Sequence, residues 1–229
     1  MEIKPEYRDK TIRSYVVRAG RMTNAQRSAF ESGWLSYGLR LAAGMADMKS
    51  IFGRENPKVV EIGFGMGGSL LEMVEAQPET DFIGIEVHPP GVGSLINAAQ
   101  EKQLNNLRVY LADATDVLNE CIAEGSLDRV QIYFPDPWHK KKHNKRRIIQ
   151  PKFLQLIRQK LRLGGVLHMA TDWQPYAEQM LALIGQAPGY ANMAEDYVLR
   201  PDFRPLTKFE LRGEKLGHGV WDLMAERTL

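Results

Sequence analysis

The feature that most limits the fold is an alternation that begins near residue 59. Short apolar runs at 59–62, 82–86, 107–111, 130–134 and 166–170 read as buried strands. Helical patterns at 70–74, 95–104, 114–123, 152–163 and 175–185 follow them in turn. Gly164-Gly165 is expected to cap the fourth helix, and Pro175 stands in the first turn of the last. Strands alternating with helices imply βαβ units, so the fold is expected to be α/β, a mostly parallel central sheet with helices on both faces. The tail breaks the pattern. Residues 197–200 and 219–225 read as strands joined by a polar loop too short for a helical crossover, which predicts an antiparallel C-terminal edge pair. The α/β domain is expected over residues 51–229. A basic N-terminal arm and helical extension is expected over 1–50, where Thr23 or Asn24 can cap a helix at 22–30.

Each strand ends at or near an acid: Glu61, Glu86, Asp113, Asp136 and Asp172. The first four are spaced 25, 27 and 23 residues apart, in step with the βα period. In parallel sheets ligands bind beyond the C-terminal strand ends, so these acids mark a site. Gly63, Gly65 and Gly68 fit G-x-G-x-x-G directly after the first strand, and Gly67 lies in the same turn. The motif alone equally suits a tight strand-to-helix turn. With Glu86 ending the next strand, where it can accept two ribose hydroxyls, it indicates a nucleotide site. Glu61 would oppose a dinucleotide pyrophosphate but suits the ammonium and sulfonium of S-adenosylmethionine. Asp113 is placed to accept from an adenine amine, to cap the next helix, or both.

The fourth strand leads into Phe134-Pro-Asp-Pro-Trp-His139 and then into Lys140, Lys141, Lys142, Lys145, Arg146 and Arg147. These six cations exceed the net charge of +2, leaving −4 for everything else, so the positive charge is localised as in a polyanion site. Two prolines fix the backbone around Asp136. Trp138 either stacks on a base or packs under the loop. His139 and His143 have metal-ligand spacing, but the cations around them would repel a divalent ion, so no metal is expected. The single cysteine, Cys121, excludes an intrachain disulfide. No apolar run approaches the length of a membrane span, and the charged N-terminus does not read as a secretory signal. A soluble cytoplasmic protein is expected.

Taken together, Val60-Glu-Ile-Gly-Phe-Gly-Met-Gly67, Gly84-Ile-Glu-Val-His88, Phe134-Pro-Asp-Pro-Trp-His139, Asn144-Lys-Arg-Arg147, Ala170-Thr-Asp-Trp173 and Thr207-Lys-Phe-Glu210 resemble the bacterial tRNA (guanine-N7)-methyltransferase family. The resemblance spans about residues 12–226. It implies a Rossmann-like class I methyltransferase that methylates guanine N7 at position 46 in the tRNA variable loop. It further implies that Glu61, the 63–67 glycines, Glu86, Asp113 and Asp136 line the S-adenosylmethionine site. Lys140, Asp172, Thr207, Lys208, Phe209 and Glu210 would bind the substrate. Trp138 and the loop Lys142, His143, Asn144, Lys145, Arg146 and Arg147 would contact RNA.

Chemistry narrows the role of Asp136. Guanine N7 carries a lone pair and no proton, so its attack needs no general base. Asp136 is expected to orient the guanine and to stabilise the charge that develops on it, and Asp172 competes for this role. Lys140 would hold a phosphate or polarise O6. Two rival readings are an NAD-dependent oxidoreductase and a nucleic-acid-binding module with a dead methyltransferase site.

Overall fold

The structure is a computed structural model, and it describes residues 12–16, 22–207, 210 and 219–229. They fall into two compact units, one within Val17–Ala123 and one formed by Glu124–Leu229 with residues 12–16.

The first unit carries α1 (Asn24–Tyr37), β1 (Gly38–Leu39), the short α2 (Met48–Phe52), β2 (Lys58–Ile62), α3 (Gly68–Ala76), β3 (Asp81–Glu86), α4 (Pro89–Glu101), β4 (Leu107–Leu111) and α5 (Ala114–Glu120). Within it the strand order is β1-β4-β3-β2, and every pair is parallel. All six residues of β3 are buried, as expected of a strand covered on both faces. That two-sided burial is why its sequence reads as an apolar run rather than an alternation. Ile83 and Phe82 are fully buried, each worth about 1.5–3 kcal/mol relative to exposure.

Thr23, not Asn24, caps α1. Its hydroxyl accepts from the Gln26 amide at 3.2 Å, and the Gln26 side chain accepts from the Thr23 amide at 2.9 Å, a reciprocal capping box. The segment read as a helical extension thus delivers α1 and then β1 to the sheet, with Gly38 opposite Val109 and Leu39 opposite Tyr110. Trp34 stacks on Phe30 at 4.6 Å, whereas Leu35 is 93% exposed.

The second unit carries β5 (Leu127–Tyr133), α6 (Pro151–Lys160), β6 (Leu161–Thr171), α7 (Gln174–Gln186), β7 (Tyr190–Asn192) and β8 (Trp221–Arg227). Its strand order is β5-β6-β8-β7. β5 and β6 are parallel, whereas β8 runs antiparallel to both β6 and β7. The C-terminal antiparallel pair is therefore β8 with β7. Of the 197–200 run, only Val198 pairs, in an isolated bridge to Asp222.

The Gly164-Gly165 cap is a misreading. α6 ends at Lys160, and β6 starts at Leu161 and runs through both glycines. Leu127 pairs with Leu161, but Arg129 pairs with Val166, so β6 bulges between those two positions. Gly164 takes a positive φ of 73° at that bulge. Among the described residues no helix is long and apolar enough to cross a membrane.

Candidate functional site

In the first unit, β2, β3 and β4 are neighbours in one parallel sheet, so the acids at their ends emerge along one edge. Glu61 lies opposite Gly84, Glu86 opposite Leu111, and Asp113 follows β4 by two residues. All three carboxylates are buried. Between β2 and α3 the chain turns on Gly63, Gly65 and Gly67, each with positive φ. A Cβ on Gly63, Gly65 or Gly68 would meet no atom within 4 Å, so the turn has an open side. α3 begins at this turn with no side-chain cap, which leaves its first amides directed at whatever fills that side.

Glu86 does more than the sequence suggests. Its carboxylate accepts from the Gly65 amide at 2.8 Å through Oε2, and from Val87 and His88 at 2.6 and 3.0 Å through Oε1. The strand-end acid therefore holds the middle of the glycine turn in place. From the other side the turn rests on α4: a Cβ on Gly91 would overlap the Gly65 carbonyl oxygen. Asp113 caps α5 by accepting from the Thr115 amide at 2.8 Å, one of the two roles anticipated for it.

In the second unit, β5 and β6 deliver Asp136 and Asp172 from neighbouring parallel strand ends, joined past β5 by the Phe134 amide donating to the Ala170 carbonyl at 2.8 Å. Asp136 is exposed and Asp172 half-buried. Phe134 and Trp138, on either side of the Pro-Asp-Pro turn, both take positive φ, 49° and 46°. Such conformations cost about 1–3 kcal/mol each and persist only where the surroundings enforce them. His139 meets the Trp173 ring edge-on at 4.3 Å, linking the Asp136 turn to the residue after Asp172.

The basic run winds into a 3-10 helix, Lys141–Arg146, rather than an open loop. That winding sorts the cations. Lys140, Lys141, Lys142 and Lys145 are exposed, His143, Asn144 and Arg146 are half-buried, and Arg147 is buried. Arg146 lies over the Trp138 ring at 3.8 Å and donates to the Arg13 and Tyr15 carbonyls at 3.0 and 3.3 Å. The Trp138 indole N–H donates to the Ser14 carbonyl at 3.1 Å. Of the two readings of Trp138, packing within the loop is the one seen. The Arg147 guanidinium, expected to contact RNA, is engaged by Pro137, Gln179 and Tyr176.

Thr207 and Glu210 form a second capping box. The Thr207 hydroxyl accepts from the Glu210 amide at 3.2 Å, and the Glu210 carboxylate accepts from the Thr207 amide at 2.8 Å. Glu210 also takes a two-pronged bond from Arg204, so its oxygens face protein rather than an open surface. Lys208 and Phe209 lie outside the described residues.

Sequence reasoning missed the polar group behind this box. Arg204 also binds both Asp222 oxygens at 2.7 Å, Asp222 meets His168 Nε2 at 2.7 Å, and His168 Nδ1 meets the Tyr133 hydroxyl at 2.9 Å. Burial pulls the His168 pKa down despite the neighbouring Asp222. Burial would push the Asp222 carboxyl up, but hydrogen bonds from His168 and Arg204 hold it below its ordinary range. The one visible signal was a polar residue inside each apolar strand pattern, His168 in β6 and Asp222 in β8.

Comparison with known proteins agrees with this architecture. A family model described as "Putative methyltransferase" matches residues 55–223. A relative from Saccharophagus degradans named tRNA (guanine-N(7)-)-methyltransferase is 57% identical over 229 residues, covering 99% of this chain and 100% of the relative. One of the same name from Stutzerimonas stutzeri is 59% identical over 220 residues, covering 95% of this chain and 92% of the relative. Among solved structures, the 16S rRNA methyltransferase KamB shares the fold with a TM-score of 0.61 at 13% identity, over 81% of this chain and 95% of that one. The fold is thus the Rossmann-like α/β fold of class I methyltransferases, and with relatives this similar over nearly its full length, the chain belongs to the tRNA (guanine-N7)-methyltransferase family.

Proposed function

We propose that this protein transfers a methyl group from S-adenosylmethionine to N7 of guanine in tRNA, and that the target is the guanine at position 46 of the variable loop. The observation that carries this reading is the 57% identity, across 99% of the chain, to a relative bearing the name of that activity. Acting on tRNA, the enzyme works in the cytoplasm.

The glycine turn fits the cofactor. Its open side at Gly63, Gly65 and Gly68 is a cradle that side chains would fill. Glu61, buried at the strand end beside it, suits a cationic amino acid group and opposes a pyrophosphate, which disfavours the nicotinamide alternative. Glu86 holds the turn and is assigned to the ribose hydroxyls, and Asp113 is assigned to the adenine. When bound, S-adenosylmethionine supplies a methyl group on a sulfonium sulfur, which N7 takes through its own lone pair.

The chain's own task is then orientation and charge. Asp136, exposed on a turn braced by prolines, orients the guanine ring and stabilises the positive charge that methylation puts on it. Lys140 and Asp172 position the acceptor nucleotide, and Thr207 belongs to the segment assigned to bind it. Lys142 and Lys145, exposed on the 3-10 helix, neutralise tRNA phosphates.

Transfer of tritiated methyl from S-adenosylmethionine to bulk tRNA, followed by nucleoside analysis, tests the reading. Label in 7-methylguanosine is expected, and label in another nucleoside, or none, refutes it. A tRNA transcript with adenine at position 46 should accept no label. Undiminished labelling of that transcript would remove the positional assignment alone.

A further inference from the structure

We propose that Arg147 is a positioning residue for the Asp136 turn, and that it acts by clamping the Pro137 carbonyl rather than by holding a tRNA phosphate. The inference rests on the proposed role of Asp136.

Pro135 and Pro137 remove two backbone donors from the turn that carries Asp136. The turn cannot be held by an ordinary backbone ladder, yet it keeps two non-glycine residues, Phe134 and Trp138, at positive φ. Something outside the turn must fix it. Arg147 does so: its Nε–H donates to the Pro137 carbonyl at 2.8 Å, on the residue that follows Asp136.

The other side of the guanidinium is anchored on α7. It bonds the Gln179 side-chain oxygen, and its carbon lies 4.6 Å above the Tyr176 ring. Tyr176 is itself fully buried, with its hydroxyl accepting from the Ile149 amide at 3.2 Å, and Gln179 donates back to the Ile149 carbonyl at 3.4 Å. α7 starts two residues after Asp172. One guanidinium therefore ties the turn bearing Asp136 to the helix that follows Asp172. At 4% exposure, with Nε and Nη1 bonded and a face over Tyr176, Arg147 presents little surface to a phosphate. Lys145, two residues earlier, is exposed.

The two readings of Arg147 separate experimentally. Phosphate contacts set the slope of log affinity against log salt, by about one unit per contact, whereas a clamp on the turn acts on turnover. The full-length variants Arg147→Lys, Gln179→Leu and Lys145→Ala are compared with wild type. Two quantities are measured: kcat at saturating tRNA and S-adenosylmethionine, per site that binds S-adenosylhomocysteine, and tRNA affinity across a salt series. A displaced reacting group costs on the order of 100-fold, so Arg147→Lys is expected to lower kcat by about 10- to 100-fold and leave the salt slope unchanged. Gln179→Leu, which leaves the net charge unchanged, is expected to lower kcat in the same direction. Lys145→Ala should flatten the slope by about one unit.

Wild-type kcat in Arg147→Lys, with or without a flattened slope, overturns the inference. Where Arg147→Lys does not fold, Gln179→Leu decides on the same criterion. Failure of wild type to form 7-methylguanosine would instead overturn the functional reading beneath it.

Discussion

Arg204 and Glu210 meet as a two-pronged pair, Nη1 to Oε2 at 2.7 Å and Nη2 to Oε1 at 2.6 Å, and neither side chain is more than 2% exposed. The same guanidinium binds Asp222, so one buried cation answers two carboxylates. Removing it leaves both acids uncompensated. Arg204→Ala is expected to destabilise the protein by about 3–5 kcal/mol. Breaking the exposed pair Lys102–Glu75, also at 2.7 Å, should cost less than about 1 kcal/mol. Urea denaturation of both variants checks the contrast, and equal losses would show that the buried cluster is not a stabilising unit.

The burial of His168 makes stability depend on pH with a definite sign. Burial lowers the folded-state pKa of His168 below its ordinary 6.5, so the unfolded chain binds a proton that the folded chain refuses. This contribution is fully present above pH 6.5 and is lost as pH falls below it. Asp222, held below its ordinary 3.8, adds a second loss further down. His168→Gln should therefore show a lower urea midpoint at pH 7.5 but a shallower fall between pH 7.5 and 5. Parallel curves for variant and wild type would remove His168 as the cause.

These two clusters also mark where the sequence stops being legible. The βα alternation can be read because parallel strands buried on both faces become unbroken apolar runs, as in β3. The strand-end acids can be read because the βα period spaces them. His168 and Asp222 stand 54 residues apart on strands whose pairing no local pattern encodes, so neither could be assigned a partner. The run from Lys140 to Arg147 has the opposite difficulty. Its charge is plain, but only the winding of the 3-10 helix decides that Lys145 faces water and Arg147 faces α7. At Gly164-Gly165 a helix cap and a strand bulge call for the same residue, since both need a positive φ.

The Gly65–Gly91 approach predicts the sensitivity of the glycine turn proposed to hold the cofactor. A methyl on Gly91 would strike backbone, the Gly65 carbonyl, which cannot swing aside as a side chain could. Overpacking of this kind costs about 1–3 kcal/mol. Drawn from the turn's geometry, that corresponds to about a 5- to 150-fold loss of affinity for S-adenosylhomocysteine in Gly91→Ala. Gly185 in α7 is the control, because nothing lies within 4 Å of its missing Cβ. Gly185→Ala should leave affinity unchanged and stabilise by about 0.5–1 kcal/mol. Calorimetric titration measures both, and unchanged affinity in Gly91→Ala would show that α4 does not shape the turn.

Asp136 carries the sharpest prediction about chemistry. N7 attacks with its own lone pair, so the methyl-transfer step moves no proton, and the carboxylate can act only through charge and orientation. Asp136→Asn keeps the size of the side chain and removes its charge. By analogy with the loss of a single electrostatic stabiliser, kcat should fall about 100- to 1000-fold, with tRNA and S-adenosylhomocysteine affinities close to wild type. Under single-turnover conditions the solvent deuterium isotope effect should stay near unity in both proteins. A large isotope effect in wild type that vanishes in Asp136→Asn would reassign the residue as a base. Near-normal turnover with bound tRNA would move the guanine contact to Asp172, which leaves the neighbouring strand at the same edge of the second unit.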